Sequence, residues 1–289
     1  MAVIVNMACG LANRMFQYSY YLYLRRLGYN AFVDFYKTAK LKHENVAWNA
    51  IFPHALLRQA SEWEVFRTGG GGDWLSKVRR RLFWSTCNAK YTSAFEVFLP
   101  EKDGKPIYVS GVFQNAKMVE SVHDEVQKAF AFGPFTDDYN LSLVREISGC
   151  QSVAVHVRKG KDYMSRNYYA GTCPVDYYRK AVEMMRGKLE NPRFYVFTDN
   201  PEWVKANFTF LDYTLVDKNP AYGWGSHFDM QLMSLCKHQI MSNSTYSWWS
   251  AYLNRNIDKM VVIPSIWFNP DSCEDYTSKS VACDGWMAL

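Results

Sequence analysis

Hydrophobic and polar positions along the second half of the chain follow the pattern of an α/β structure. Apolar runs predict strands at 153–157, 194–198, 213–216 and 260–263, and amphipathic stretches predict helices at 175–186 and 202–207. Strands that alternate with helices in this way form a doubly wound parallel sheet. We therefore expect an α/β domain in this half.

The stretch 228–255 carries the strongest local signals. Apolar residues recur at spacings of three and four between 230 and 236, which predicts a buried helix, and a short apolar strand follows at 239–242. The polar turn Asn243-Ser244-Thr245 then precedes a second helix that contains Trp248 and Trp249. Unpaired backbone N–H groups and the helix dipole make such a turn a phosphate site. The plainer interpretation is a helix cap beside a tryptophan core.

The first half predicts a second α/β unit. Strands at 2–7 and 31–34 flank a helix that ends at Gly28, and the turn from Gly10 to Arg14 lies where the first strand ends. This turn lacks the glycine spacing of a dinucleotide fingerprint. A further strand at 108–113 precedes a turn-rich stretch at 133–138. We place the domain boundary near residue 148, which gives domains 1–148 and 149–289.

Composition and charge narrow the class of protein. Apolar residues make up 48% of the chain and charged residues 21%, as in a globular protein. The net charge of +5 is concentrated only at 77–81 (KVRRR), which is either a solvated helix face or a contact with an anionic membrane surface. Seven cysteines without a C-x-x-C pair argue against a zinc site and a disulfide framework. With no secretory leader or membrane span, we expect a cytoplasmic protein, at most peripheral at the inner membrane.

The strand at 153–157 leads into the candidate chemistry. His156 and Arg158 share one face because side chains alternate along a strand, and they lie at its carboxyl end, where α/β sheets bind ligands. Arg158 can either bind a diphosphate through charge-assisted hydrogen bonds or form an ion pair with Asp162 beside a core histidine. Asp199 and Asp229 stand at helix starts, where each is either a ligand contact or a group that stabilises the helix end.

Seven motifs are distributed along the chain. They are CGLANRMFQY from Cys9, SGVFQN from Ser110, HVR from His156, CPVDYY from Cys173, FTDNPEW from Phe197, DMQLMSLCKH from Asp229 and NSTYSWW from Asn243. Together they resemble glycosyltransferase family 11, the α-1,2-fucosyltransferases of bacterial surface-glycan clusters. The resemblance covers nearly the whole chain and implies a GT-B fold with two Rossmann-like domains that face a central cleft. It implies GDP-β-L-fucose as donor, a galactose-containing glycan as acceptor, free or lipid-linked, and inverting transfer that needs no metal or other cofactor.

The resemblance also assigns roles to residues. It puts Arg158 on the donor's β-phosphate with His156 beside it, and Asp229 toward the guanine. With the positions argued above, the expected donor-binding set is Gly10, Asn13, Arg14, Arg158, Asp199, Asp229, Asn243, Ser244, Thr245 and Tyr246. The expected catalytic set is Arg158, His156 and Asp162. Two motifs depart from the family pattern: this chain has Gly-Leu-Ala-Asn-Arg where Gly-Leu-Gly-Asn-Gln is usual, and its loop after Arg158 is one residue longer.

The expected reaction is an in-line displacement at fucose C1 through an oxocarbenium-like transition state. Arg158 and the polar turn Asn243-Ser244-Thr245, the hydroxyl turn, would stabilise the charge that develops on the diphosphate. Asp34, Asp162 and His156 are open candidates for the base that deprotonates the acceptor. Other hypotheses are a different GDP-sugar donor, a carbohydrate-binding protein without catalysis, and a nucleic-acid-binding protein, against which the lack of a long basic stripe argues.

Overall fold

The computed structural model describes residues 1–35, 48–70, 78, 81, 87–221 and 223–289. The basic segment 77–81 therefore lies mostly outside the described residues. Contacts between Cα atoms divide the chain into two compact units, Met1–Ala131 and Phe132–Leu289. Among the described helices, none has the length and apolar character needed to cross a bilayer.

The boundary between the units lies earlier in the chain than the pattern near residue 148 suggested. The helix Asp138–Ser148 explains the difference. Its Leu143 and Ile147 are buried in one hydrophobic cluster with Ala154 and Leu232 of the second unit. A helix that contributes its apolar face to that core belongs to the second unit.

The first unit contains a parallel sheet whose four described strands follow the order β2-β1-β4-β3. The strands are β1 (Ala2–Asn6), β2 (Asn30–Asp34), β3 (Ala89–Tyr91) and β4 (Ile107–Ser110). The helices are α1 (Leu11–Arg26), α2 (Trp48–Ile51), α3 (Glu62–Thr68), α4 (Ala116–Glu120) and α5 (His123–Ala129).

Helix α1 begins earlier than the sequence pattern indicated. Cys9 has a left-handed backbone with φ of 72°, and Gly10 is the extended N-cap, so two residues complete the turn after β1. The backbone N–H of Arg14 already donates to the carbonyl of Gly10. Asn13 and Arg14 therefore lie in the first helical turn, and the prediction that they belong to a loop was wrong.

The second unit contains a parallel sheet whose six described strands follow the order β10-β9-β8-β5-β6-β7. The strands are β5 (Gln151–Val157), β6 (Pro192–Thr198), β7 (Tyr213–Val216), β8 (His238–Ile240), β9 (Val261–Ile263) and β10 (Met287–Ala288). The helices are α6 (Asp138–Ser148), α7 (Lys161–Met164), α8 (Val175–Lys188), α9 (Pro201–Asn207), α10 (Phe228–Leu235) and α11 (Thr245–Leu253), with 3₁₀ turns at Asn167–Tyr169 and Ser278–Ser280. The predicted doubly wound arrangement is confirmed.

Side-chain alternation along β5 divides the core of the second unit. Val153, Val155 and Val157 belong to the cluster on the side of α8 and α9. Ala154 belongs to the cluster formed with α6 and α10. His156 has the same parity as Ala154, so it follows the α10 side of the strand. Arg158 comes just after the last residue of β5, so the predicted shared face of the two side chains stays a prediction.

Candidate functional site

Strand order identifies the edge where a ligand would bind in the second unit. The chain passes from β5 to β6 and β7 on one side, and then returns to β8 on the other side of β5. The order reverses between β5 and β8, and open α/β sheets bind ligands beside the carboxyl ends of strands at such a reversal. Arg158 follows β5, and the turn that begins at Ser242 follows β8.

Arg158 is the charged group at this reversal point. Its Nη1 donates to the hydroxyl of Ser244 at 3.3 Å, and its guanidinium carbon lies 5.7 Å from the ring centroid of Tyr163. Among the side chains that the structure describes, Ser244 is its hydrogen-bond partner. A half-buried guanidinium held in this way can make paired, charge-assisted bonds to phosphate oxygens.

His156 lies beneath Arg158 and is buried. Its Nδ1 is 2.7 Å from the hydroxyl of Ser242, and Tyr178 donates its O–H to the backbone carbonyl of His156. Burial, together with the nearby charge of Arg158, lowers the pKa of His156 to about 3. The imidazole is therefore neutral near pH 7 and is too weak a base to deprotonate an acceptor efficiently.

The hydroxyl turn caps a helix and is held in place by hydrogen bonds. Ser244 is the N-cap of α11, and its hydroxyl accepts the backbone N–H of Tyr246. The amide oxygen of Asn243 accepts from the hydroxyl of Tyr163, and its Nδ2 donates to the carbonyl of Trp267 at 2.9 Å. These bonds direct Asn243 into the protein, so its predicted contact with the donor is left without direct support and stays a prediction.

Thr245 and Tyr246 form the first residues of α11 and are half-buried. The hydroxyl of Tyr246 donates to the carbonyl of Ser226 at 2.8 Å and accepts the backbone N–H of Met230 at 2.9 Å. Tyr246 thus joins the start of α11 to the start of α10. Because the unpaired backbone N–H groups of the first turn lie here, the positive end of α11 adds to the charge of Arg158.

Asp229 lies in the first turn of α10. Its Oδ1 accepts from Nδ2 of Asn219 at 2.8 Å. Burial raises the pKa of this carboxyl group to about 6, against the hydrogen bond from Asn219, which lowers it. The carboxylate can therefore accept N–H groups at neutral pH and becomes partly protonated in mild acid.

Asp199 follows β6 and holds the backbone of the neighbouring loop. Its Oδ1 accepts the N–H of Lys159 at 2.7 Å. The helix that follows is capped by Asn200, whose Oδ1 accepts the N–H of Trp203 at 3.1 Å. The interpretation of Asp199 as the cap of this helix was therefore wrong, and the carboxylate instead fixes the loop that follows Arg158.

Asp162 belongs to the short helix α7, but its side chain lies outside the described part of the structure. Its ion pair with Arg158 and its catalytic role stay predictions. No group of three or more His, Cys, Asp or Glu side chains that could hold a metal ion occurs among the described residues.

Three predicted donor-binding residues lie in the first unit and are described there by themselves. Gly10 is exposed at the start of α1, and Asn13 accepts a hydrogen bond from Gln114 at 3.3 Å. Arg14 is fully buried, with its guanidinium carbon 5.1 Å from the ring centroid of Phe35. Its expected contact with the donor stays a prediction.

Sequence reasoning missed Tyr163, Ser242 and Asn219. Tyr163 places its ring against Arg158 and its hydroxyl on Asn243, and Ser242 bonds His156. Ser242 immediately precedes the turn that was predicted, so its position after an apolar strand was an available signal. Asn219 lies in a loop before a proline, where no local pattern indicated its bond to Asp229.

Comparison with known proteins finds a matching family profile and several relatives. The profile described as Glycosyl transferase family 11 matches residues 90–288, more than half of the chain. The O-antigen biosynthesis glycosyltransferase WbnK of Escherichia coli is 30% identical over 184 residues, which cover 61% of this chain and 59% of that protein. An alpha-1,2-colitosyltransferase of Escherichia coli is 24% identical over 299 residues, with 95% of each chain covered.

A third relative, galactoside alpha-(1,2)-fucosyltransferase 1 of Homo sapiens, is 35% identical over 107 residues, which cover 35% of this chain and 28% of that protein. This chain thus spans less than two thirds of WbnK and of the human protein, and nearly all of the colitosyltransferase.

Among solved structures, the fucosyltransferase NodZ from Bradyrhizobium is similar in fold. It gives a TM-score of 0.51 at 12% identity, over 86% of this chain and 92% of that chain. A crystal of NodZ alpha-1,6-fucosyltransferase soaked with GDP-fucose gives 0.50 over 87% and 92%. At this identity the similarity concerns the fold alone. With the two parallel α/β units described above, it confirms the predicted GT-B-like fold class.

Proposed function

The chain belongs to glycosyl transferase family 11, and from that premise we propose that it moves L-fucose from GDP-β-L-fucose to a galactoside hydroxyl, with formation of an α-1,2 linkage. The relatives support this proposal because two of them are named for alpha-1,2 transfer, of colitose and of fucose. The observation that carries it is the contact of Arg158 with Ser244 where the strand order reverses. That contact sets a planar cation beside the positive end of α11.

The proposed reaction is a single displacement with inversion at C1 of the sugar. The acceptor oxygen forms a bond to C1 while the bond from C1 to the β-phosphate oxygen breaks, and GDP leaves with that electron pair. The leaving diphosphate gains negative charge, which Arg158 and the backbone N–H groups at the start of α11 would stabilise. Because this arrangement supplies positive charge from the protein, we propose that transfer needs no metal.

The proton of the acceptor hydroxyl must pass to a base. A pKa of about 3 makes His156 a poor candidate. Its bond to Ser242 instead suits a role in supporting the turn that contacts Arg158. Asp34 and Asp162 are the remaining candidates in our proposal.

A colitosyl donor is the second candidate. The alignment with the alpha-1,2-colitosyltransferase covers 95% of both chains, whereas that with the human fucosyltransferase covers 35% of this one. Both donors would use the same Arg158 and Ser244 contacts, so the choice between them concerns the sugar. A competition assay with equal concentrations of the GDP-fucosyl and GDP-colitosyl donors distinguishes them.

The test of the proposal is fucose transfer from GDP-fucose to lactose in the presence of EDTA. We expect product with the wild type, and a turnover lower by about 10²–10³-fold in Arg158→Ala, the range for loss of a transition-state hydrogen-bond donor. Arg158→Lys should recover little, because a point charge does not reproduce the planar fork. Arg193→Ala removes an exposed arginine at the amino end of β6, the opposite edge of the sheet, and is the matched control.

Turnover of Arg158→Ala within a few-fold of the wild type would remove this residue from the mechanism. If the wild type forms no product, calorimetric titration with GDP distinguishes the two remaining cases. Binding of GDP would indicate a different acceptor or sugar, and the absence of binding would refute the proposed donor class.

A further inference from the structure

A chain of side-chain hydrogen bonds connects the start of α6 with Asp229. The carboxylate of Asp137 accepts from Nδ2 of Asn140 at 3.0 Å. Asn140 and Asn219 form a reciprocal amide pair, with Nδ2-to-Oδ1 distances of 2.9 and 3.0 Å. Asn219 then donates to Oδ1 of Asp229 at 2.8 Å. Of these four residues, only Asp229 has a role that the family resemblance implies.

The direction of every bond in this chain is fixed. The hydrogen bonds from Asn140 lower the pKa of Asp137, so this carboxylate is ionised and can only accept. The two N–H groups of Asn140 are then directed at Asp137 and at Asn219. The two N–H groups of Asn219 are directed at Asn140 and at Asp229. A reversed Asn219 amide would turn its oxygen toward a carboxylate, which the reciprocal pair with Asn140 opposes.

A fixed donor on Oδ1 determines what the other oxygen of Asp229 can do. Oδ1 stays an acceptor in both protonation states, so a proton that binds Asp229 goes to Oδ2. When Asp229 is ionised, Oδ2 accepts N–H groups, and when it is protonated, Oδ2 presents an O–H donor. The ionisable groups that face this carboxyl are Asp217, Tyr139 and Tyr246, of which Asp217 raises its pKa together with burial.

We propose that Asn140 and Asn219 are positioning residues that hold Asp229 so that its second carboxylate oxygen, Oδ2, selects the N–H edge of the donor's purine base. The inference rests on the proposed function, with Asp229 directed toward the guanine of the donor as the family resemblance implies. Guanine presents adjacent N–H donors that an ionised carboxylate can accept, whereas adenine lacks this pair. The amide pair would thus set both the orientation and the ionisation of the group that distinguishes the two bases.

A purely structural role is the alternative. Asn140 is 1% exposed, and its bonds also join α6 to the loop between β7 and α10. Loss of that connection would lower stability and weaken all ligands alike. Positioning of Asp229 predicts a change confined to base selectivity and its pH dependence.

The test measures the ratio of GDP affinity to ADP affinity between pH 5 and 8 on the full chain. The ratio cancels ionisation of the diphosphate, which both ligands share. For the wild type we expect selectivity for GDP that falls as the pH drops through about 6, where Asp229 takes up a proton. Asn219→Ala removes a hydrogen bond that favours the ionised carboxylate. The midpoint, defined as the pH at which half of the selectivity for GDP is lost, should therefore rise by about one pH unit.

Three comparisons complete the experiment. Asn140→Ala should shift the midpoint in the same direction, and the double variant should match Asn219→Ala, because Asn140 acts through Asn219. Asn256→Ala is the matched control, since its Nδ2 donates to the carbonyl of Lys237 at the amino end of β8, and it should leave the midpoint unchanged. If thermal melting shows that Asn219→Ala is unfolded, Asn219→Ser replaces it.

The outcomes separate this inference from the proposed function. Loss of the pH-dependent selectivity in Asp229→Asn, with a shifted midpoint in Asn219→Ala, supports both. The same loss in Asp229→Asn with a wild-type midpoint in Asn219→Ala overturns the positioning role and leaves the base contact intact. Unchanged selectivity in Asp229→Asn overturns the base contact itself.

Discussion

Gly160, in the loop after Arg158, has no space for a side chain. A Cβ built on this residue would lie 2.6 Å from Oδ2 of Asp199 and 2.9 Å from its Cγ. The same carboxylate accepts the N–H of Lys159 at 2.7 Å, so it cannot withdraw without loss of that bond. Gly160→Ala should therefore destabilise the second unit and displace the backbone next to Arg158.

The expected magnitude follows from this geometry. Overpacking of a fixed site costs about 1–3 kcal/mol in the free energy of unfolding. Asp199→Ala should cost about 1 kcal/mol, because it removes a hydrogen bond to a partly exposed carboxylate. In the double variant the two closest atoms are removed, and the nearest of the three that remains is the Cβ of residue 199 at 3.5 Å, which is ordinary contact. The double variant should thus be about as stable as Asp199→Ala alone.

Urea denaturation of the wild type, Gly160→Ala, Asp199→Ala and the double variant measures the coupling between the two substitutions. A coupling free energy of about 1–3 kcal/mol in favour of the double variant is expected, because the double variant should escape the whole cost of Gly160→Ala. Gly187→Ala is the matched control, because Gly187 lies in the last turn of α8 with nothing within 4 Å of an added Cβ, and alanine there should not lower the stability. Additive effects, or a Gly160→Ala protein as stable as the wild type, would refute the steric argument.

Two further predictions concern the hydroxyl turn and the buried histidine. Ser244→Ala should lower the free energy of unfolding by about 1 kcal/mol through loss of the cap, and should weaken GDP binding in calorimetry because Arg158 loses its partner; unchanged GDP affinity would limit Ser244 to capping. The folded pKa of His156, about 3, lies below the usual 6.5, so the unfolded state binds more protons and stability falls as pH drops from about 6.5 toward 3. In His156→Gln, the free energy of unfolding measured with urea should depend less on pH over that range, by the equivalent of up to one bound proton. An unchanged pH dependence would contradict the lowered pKa of His156.

Local periodicity explains how much of the fold could be predicted. The pattern of β5, β6 and β7 is read from consecutive residues, and their predicted ranges agree with the structure within about two residues. The helix α10 was predicted in the same way. Short or weakly patterned elements were missed, including β3 and α3, because their positions depend on neighbours that the local sequence does not specify.

The candidate site could be predicted only as a set of separate fragments. Arg158 and the hydroxyl turn were both identified, but their contact joins positions 86 residues apart, and Asn140 and Asn219 are separated by 79 residues. Pairings of this kind depend on strand order, which places β8 beside β5. The burial of single side chains could not be predicted either, because it also depends on the whole fold. The sequence did not show that Arg14 is buried or that burial keeps His156 neutral.

The two sequence interpretations of the hydroxyl turn prove to be compatible. Trp248 and Trp249 are fully buried and Ser244 caps α11, as the plainer interpretation required. The same Ser244 hydroxyl also accepts from Arg158. A cap must lie at the helix start, which is also where unpaired N–H groups can meet an anion, so the cap does not conflict with the phosphate contact that stays a prediction. Neighbouring Asn243 differs, because its amide bonds into the core, and its substitution should affect folding before it affects binding.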